Sequence, residues 1–462
     1  MSEKLAATKS RASWKGKWGF ILAAAASAVG LGNMWRFPYL DAKYGGGTFL
    51  LVYLICVFTL GISLLLQDIA LGRNAKKSVV GVFSRYGKKY SIIGILAAAV
   101  PFIILPYYSI IGGWVAKYTA AYITSGPAAL ADGGNFFVGF IGGGLESYLW
   151  MILFAGVVMA VIFMGVKGGI ERINLILMPL LILMAIGIAI FTMTIPGALD
   201  GVKYFFTPDL SKMSPELILA AIGQCFFSLS IAMAIMVTYG SYVKDEESLT
   251  GSTAQIVGFD LLVSVLAGLM IVPGAFAALG SAEAVAAKSG PGLMFITLPQ
   301  VFEHMGGAAQ VVGFLFFLLA LFAAITSAIS IAEACVSIVA DGMKCSRKKA
   351  GVIISVYTLL MGCLINAGYN VLSFIQPLGE GSSLLDLADF LSNTVMMPVV
   401  CILTCLFVGF VMKPKTLVDE IRKSSEFKLA GAWTVMVKFI APICVLVVLV
   451  AYIAMQFGLI SF

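Results

Sequence analysis

Apolar runs of 18 residues or more recur from one end of this 462-residue chain to the other. Each is long enough to cross a ~30 Å hydrocarbon layer as a helix. Inside lipid every backbone N–H and C=O has to find its partner within the protein, so runs of this length fold as helices. Composition agrees, with 60% of residues apolar and 11% charged, against about 25% charged in a soluble domain. The fold class is all-α, a polytopic membrane protein. The first run is too closely followed by further spans to be a cleaved signal peptide.

Eleven spans are read, at 17–43, 47–73, 91–124, 148–167, 170–193, 217–243, 253–280, 308–341, 349–368, 383–412 and 429–458. Lys4, Lys9, Arg11, Lys15 and Lys17 precede the first span, and Arg73, Lys76, Lys77, Arg85, Lys88 and Lys89 follow the second. The same alternation places Lys167 with Arg172, then Lys344, Arg347, Lys348 and Lys349, then Lys413, Lys415, Arg422 and Lys423 on one side, while 125–147 has no Lys or Arg. Lys and Arg concentrate in cytoplasmic loops. The amino terminus is therefore expected in the cytoplasm and the carboxyl terminus outside, in a multi-pass protein of the plasma (inner) membrane. The net charge of +7 follows the membrane and is no nucleic-acid signature. Lys117, near the outer end of the third span, is expected to snorkel to the interface.

The eight cysteines lie almost entirely within apolar runs, so no structural disulfide is expected. His304 is the only histidine, and no His/Cys cluster offers a metal-ligand set. Residues 196–216 and 281–305 read as structured outward segments, the second resembling an interfacial cap. The expected division is a cytoplasmic segment 1–16, a first set of five spans 17–193, an outer loop 194–216, a second set 217–412 with its outer loop 281–307, and a cytoplasmic loop with the last span, 413–462.

One feature of the first span resists a simple helix. After WGFILAAA comes SAVGLGNMWRFP, residues 27–38. Gly30 and Gly32 ease departure from helical geometry, and Asn33, Arg36 and Pro38 follow. Irregular backbone at bilayer depth survives only beside a protein cavity. A glycine packing face is the alternative reading. Carriers with inverted repeats break a second span five spans on, and span six, AIGQCFFSLSIAMAIMVTYGSYV, is interrupted by Gln224, Ser228 and Ser230. No glycine lies between Gly223 and Gly240, so this second signal is weaker.

The blocks W-x-x-x-WGFILAAAASAVGLGNMWRFPYL, YGGGTFLLVYL, GQCFFSLS and LFAAITSAISIAE resemble the neurotransmitter:sodium symporter family, in its bacterial amino-acid branch, over essentially the whole chain. The resemblance implies a leucine-transporter-like fold of eleven helices in a 5+5 inverted repeat, with helices 1 and 6 discontinuous. It implies one sodium ion at the Ala28 carbonyl, Asn33 amide oxygen, Ser228 and Asp260, completed by the substrate carboxylate. A second ion falls to the carbonyls of Ala26, Val29 and Ala323 with the hydroxyls of Thr326 and Ser327. One or two ions and no organic cofactor are expected. Many relatives have asparagine where Asp260 stands and use a chloride ion beside it. The matching pocket here is Tyr53, Gln224, Ser228 and Ser264. A carboxylate within VGFDLLVSVLAG costs on the order of 2.5–3.5 kcal/mol or more unless paired, and it can replace the anion, so chloride is not expected to be required.

The resemblance also places substrate at Ala28, Leu31, Gly32, Ile104, Tyr108, Phe227, Ser228, Ser230, Met233, Ser327 and Ile331. The half-helix starting near Leu31 presents N–H groups suited to a carboxylate, with the Tyr108 hydroxyl beside them. Carbonyls of Ala28, Phe227 and Ser228 face the ammonium. Amine carriers of the family bear a carboxylate where Gly30 stands, so the ligand here is expected to be an amino acid, with an apolar or aromatic side chain among Ile104, Phe227, Met233 and Ile331. Ala232 and Ala328 leave room, while Ala232 and Ala234, where relatives often have glycine, leave the extent of unwinding open. Arg36 with Asp389, near Asp386, resembles an outer gate, and Arg11 with Asp341 and Tyr242 an inner one. Glu333 and Glu171 read as inner-face or loop carboxylates without a nucleophile. The function expected is sodium-coupled import of a neutral amino acid by alternating access, not an enzymatic reaction. The rivals are a proton-coupled carrier on the same fold and, less favoured, a channel or a non-transporting scaffold. Oligomeric state is left open.

Overall fold

The computed structural model describes residues 12–287 and 290–459. Among these residues the secondary structure is helical throughout, without a strand. Among the described residues nine helices are long and apolar enough to cross a membrane: Gly47–Ala75, Lys88–Thr124, Leu145–Phe163, Val166–Met193, Leu249–Leu279, Gly306–Gly342, Arg347–Tyr369, Leu384–Met412 and Ala430–Gln456. A bent pair, Lys17–Ala28 and Gly32–Lys43, turns through 50° at its break. The remaining apolar run is divided into Pro215–Ser228 and Ile235–Gly240, each too short to cross alone. Together these correspond to the eleven runs of the sequence, and are called spans 1 to 11 in chain order.

Local chemistry sets several of the ends. Ser214, Ser248 and Ser346 accept N–H bonds from Leu217, Gly251 and Lys349 at 3.2, 3.2 and 3.3 Å, capping spans 6, 7 and 9. Ser383 and Asp386 form a reciprocal capping box at the start of span 10. The turn between spans 4 and 5 falls at Gly165, with φ of 84°, and not at 168–169 as expected. A left-handed residue ends the helix there, and Lys167 becomes part of the first turn of span 5.

Span 1 lies at the centre, against spans 5, 7 and 8, with Ala23, Ala24, Ala25 and Ala26 wholly buried. Small side chains bring the helix axes close. Spans 2 and 6 approach most tightly: a Cβ on Gly72 would stand 1.9 Å from the Val237 carbonyl oxygen, and one on Gly240 2.3 Å from that of Ile69. In the segment read as an interfacial cap, the described residues 290–305 reach into the bundle. Leu293, Met294, Phe295 and Leu298 are fully buried, and the Phe295 ring stacks on Phe137 at 5.0 Å with Trp114 edge-on at 5.9 Å. Its apolar residues drive it into the bundle as a wedge. Lys117 pairs with Glu146 at 2.5 Å.

Candidate functional site

The break in span 1 is a redistribution of hydrogen bonds. At Val29 the backbone turns extended, with φ −74° and ψ 98°. In a continuing helix the N–H groups of Gly30, Leu31 and Asn33 would bond the carbonyls of Ala26, Ser27 and Val29. Instead Gly30 N–H donates to Asn33 Oδ1 at 2.9 Å, Leu31 N–H to the Tyr108 hydroxyl at 3.4 Å, and Asn33 N–H to the Gly30 carbonyl at 3.2 Å. The three released carbonyls converge on the Ser327 hydroxyl of span 8, at 3.2 Å from Ala26, 3.4 Å from Ser27 and 3.1 Å from Val29. One hydroxyl proton cannot satisfy three acceptors. Thr326, the neighbouring residue, donates to the carbonyls of Phe322 at 3.0 Å and Ala323 at 3.1 Å. The five residues expected around the second sodium ion thus come together, with more oxygen lone pairs than protons to fill them. A hard cation suits that set.

The second cluster centres on Asp260, fully buried in span 7. Its Oδ1 accepts from Asn33 Nδ2 at 2.8 Å and Ser228 Oγ at 2.7 Å, and its Oδ2 accepts from the Tyr53 hydroxyl at 3.3 Å. Asn33 Nδ2 also faces Ser264 Oγ at 2.8 Å and Ser228 Oγ at 3.1 Å. No basic side chain pairs with Asp260 among the described residues. A buried carboxylate lacking a protein cation is costly unless hydrogen bonds or a counter-ion offset its charge. The Asn33 amide stands with its nitrogen toward this cluster and its oxygen toward Gly30, so an ion here meets that oxygen only with the amide turned over. Gln224, one turn before Ser228, is buried with neither amide atom bonded.

Span 6 unwinds fully between its halves. Ser230, Ala232 and Ala234 take left-handed backbone, with φ of 53°, 61° and 61°. Two contacts hold the segment: Ser230 Oγ donates to the Ser27 carbonyl at 3.1 Å, tying the two breaks together, and Ala232 N–H donates to Asp68 Oδ2 at 3.1 Å. Asp68 is a site residue that sequence reading missed. Its only signal was a carboxylate inside the apolar run LLLQDIALG of span 2.

A cavity of about 370 Å³ opens between the breaks. Ala28, Leu31, Gly32, Ile104, Tyr108, Phe227, Ser228, Ser230, Met233, Ser327 and Ile331 all line it, so every residue expected at the substrate shares one space. Neighbouring side chains approach both glycines closely. A Cβ at Gly30 would lie 2.9 Å from Ser327 Oγ, and one at Gly32 2.4 Å from the Phe227 ring. The cavity extends past Arg36 and Asp389, which form no ion pair with each other. Arg36 stands 5.4 Å over the Phe227 ring, while Asp389 accepts from Asn393 at 2.6 Å and Tyr107 at 3.3 Å.

The opposite end is sealed. Trp14 is buried, its indole N–H donating to the Tyr239 carbonyl at 3.2 Å. Lys15 N–H donates to Glu171 at 2.9 Å, and the Tyr242 hydroxyl to Glu333 at 2.7 Å. Arg347 bonds both oxygens of Glu333. Glu171 and Glu333 are therefore buried parts of this closure and not loop carboxylates, because span 5 turns Glu171 onto the chain before span 1 and span 8 turns Glu333 onto Tyr242 and Arg347. Asp341 accepts from Ser78 N–H at 2.7 Å. Arg11, its expected partner, lies outside the described residues.

Two discontinuous helices, meeting at a buried carboxylate and a carbonyl cluster, define a secondary carrier of the leucine-transporter fold. The chain matches the Sodium:neurotransmitter symporter family over residues 11–129 and 142–459, and it belongs to that family. It is thus a multi-pass, sodium-dependent membrane transporter and not an enzyme. It is 33% identical to the uncharacterized sodium-dependent transporter YhdH of Bacillus subtilis, over 97% of this chain and 98% of that one. The sodium-dependent nutrient amino acid transporter 1 of Drosophila virilis is 25% identical over 95% of this chain and 76% of its own length. Among solved structures, MhsT in complex with L-phenylalanine superposes with a TM-score of 0.84 at 36% identity, covering 96% of this chain and all of that one.

Proposed function

We propose that the protein imports a neutral amino acid with an apolar or aromatic side chain, driven by sodium and without need of chloride. The observation that carries this reading is the polarity of the cavity. At one end lie the Tyr108 hydroxyl and the Leu31 N–H at the start of a half-helix, which favour a carboxylate. Gly30 supplies no competing acid. The carbonyls of Ala28, Phe227 and Ser228 take the ammonium, and Ile104, Phe227, Met233 and Ile331 offer an uncharged wall to the side chain. The relative that binds L-phenylalanine and those named for nutrient amino acids support the same class.

Sodium binds in this reading at Ala28, Asn33, Ser228 and Asp260, where the substrate carboxylate completes the shell, and at Ala26, Val29, Ala323, Thr326 and Ser327. Shared coordination makes each ligand raise the affinity of the other equally. Asp260 supplies the negative charge that chloride supplies elsewhere. With the amino terminus in the cytoplasm, the open Arg36 end faces out and the sealed Trp14 end faces in. Rocking of spans 1, 2, 6 and 7 then exchanges the two, and sodium entry adds roughly 2.3 kcal/mol per charge per 100 mV. A thermal-shift screen of neutral amino acids on the purified chain tests this. Stabilisation by an apolar or aromatic amino acid that requires sodium and persists with gluconate in place of chloride is expected. Stabilisation that requires chloride defeats the role given to Asp260, and a response to acid pH without sodium favours proton coupling.

A further inference from the structure

A second concavity, of about 420 Å³, lies far from the substrate route where spans 10 and 11 meet the helix Pro414–Arg422. Lys413, Lys415 and Lys438 line it, with Val418, Ala430 and Thr434. None of these three lysines pairs with an acid among the described residues. Lys438 instead lies 4.8 Å from the ring centre of Phe410 and 5.2 Å from that of Phe439. Both rings are on the outer surface of the bundle, 55% and 49% exposed. The nine-residue helix Pro414–Arg422 also starts here: its N-cap, Lys413, offers no side-chain oxygen, Pro414 has no N–H, and the Thr416 N–H bonds the Lys413 carbonyl at 3.0 Å, which leaves the Lys415 N–H at the helix start.

Three unpaired ammonium groups, an uncapped helix start and flanking lipid-facing aromatics describe one kind of ligand. We propose that this pocket binds the phosphate of an anionic phospholipid headgroup, with the acyl chains lying along Phe410, Phe439 and the neighbouring apolar surface of spans 10 and 11. Lysines near a membrane surface attract anionic lipid, helix starts favour anions, and an anionic phospholipid offers both the charge and an apolar tail. The same phosphate chemistry could arrive as a free ion, but free phosphate makes no use of the exposed rings. The far end of the same helix carries Glu420, which holds Arg73 of span 2 at 2.9 Å. Lipid binding therefore bears on an element fastened to span 2, one of the spans that rock in the proposed transport cycle.

The test uses the full chain in neutral detergent, titrated with dioctanoyl-phosphatidylglycerol, dioctanoyl-phosphatidylcholine or inorganic phosphate and followed by melting temperature. Saturable stabilisation by phosphatidylglycerol alone is expected. In K413Q/K415Q/K438Q the half-saturating concentration should rise about 100-fold, or about 5-fold per lysine. K415Q, at an exposed position, should show the single step even if the triple variant folds poorly. K344Q/K348Q/K349Q removes the same charge elsewhere and should titrate like the unchanged chain. Equal titration of all variants, equal loss in the control variant, or an effect reproduced by inorganic phosphate would each overturn the proposal.

Discussion

Ala232 and Ala234 carry backbone that glycine adopts freely and alanine does not. Each sits at φ 61°, where an L-residue loses roughly 1–2 kcal/mol against its Cβ. The sequence left open whether alanines here would permit unwinding. They do, because Asp68 and Ser27 hold the segment in place. A232G and A234G should therefore each stabilise the protein by about 0.5–1 kcal/mol, the relief exceeding the extra freedom glycine gains when unfolded. A melting temperature below the parent's for both would show that the left-handed turns are absent. Ser327 is the opposite case, one hydroxyl serving three carbonyls. S327A removes an oxygen from the carbonyl cluster, and the sodium concentration giving half-maximal stabilisation should rise about 10-fold. An unchanged sodium titration would remove Ser327 from the ion's shell.

At the scale of elements, legibility followed the strength of the local signal. The span 1 break was readable because Gly30, Gly32, Asn33, Arg36 and Pro38 stand together in an apolar run. The span 6 break was half-readable, since hydroxyls alone are also consistent with a buried helix. The helix from Pro414 to Arg422 was not read at all, being nine residues of mixed charge after a span end. Its attachment was equally hidden: Arg73 and Glu420 are fully buried partners 347 residues apart. Burial works to raise the Glu420 carboxyl, but hydrogen bonds from Lys423 and Asn74 and the Arg73 charge outweigh it and hold the carboxyl below its ordinary value. A group lowered in the folded state stabilises at pH above its unfolded value, about 4.3, and that contribution disappears as pH falls through the lower folded value. E420Q should lose about 3–5 kcal/mol at neutral pH by stranding Arg73. The gap between variant and parent should narrow below about pH 4. A constant gap from pH 7 down to acid would show that the Glu420 charge carries no stability.

Across the whole molecule the two ends differ in kind. One is open past Arg36 and Asp389. The other is closed by Trp14, Glu171, Tyr242, Glu333 and Arg347. The sequence announced an all-helical membrane bundle and, through family resemblance, residues that the structure gathers around one cavity. It did not announce that Glu333 and Glu171 seal one end, because their partners Arg347 and Lys15 are joined to them only by the folded packing. An oxygen-rich centre reached from one side at a time is what coupled transport requires. The decisive measurement is uptake of a radiolabelled neutral amino acid, the best ligand of the thermal-shift screen, by vesicles containing the purified chain. Accumulation above the outside concentration under an inward sodium gradient, collapsing when sodium is equal on both sides, is expected. Equal uptake with and without the gradient, or none under either, would contradict sodium-coupled transport through this centre.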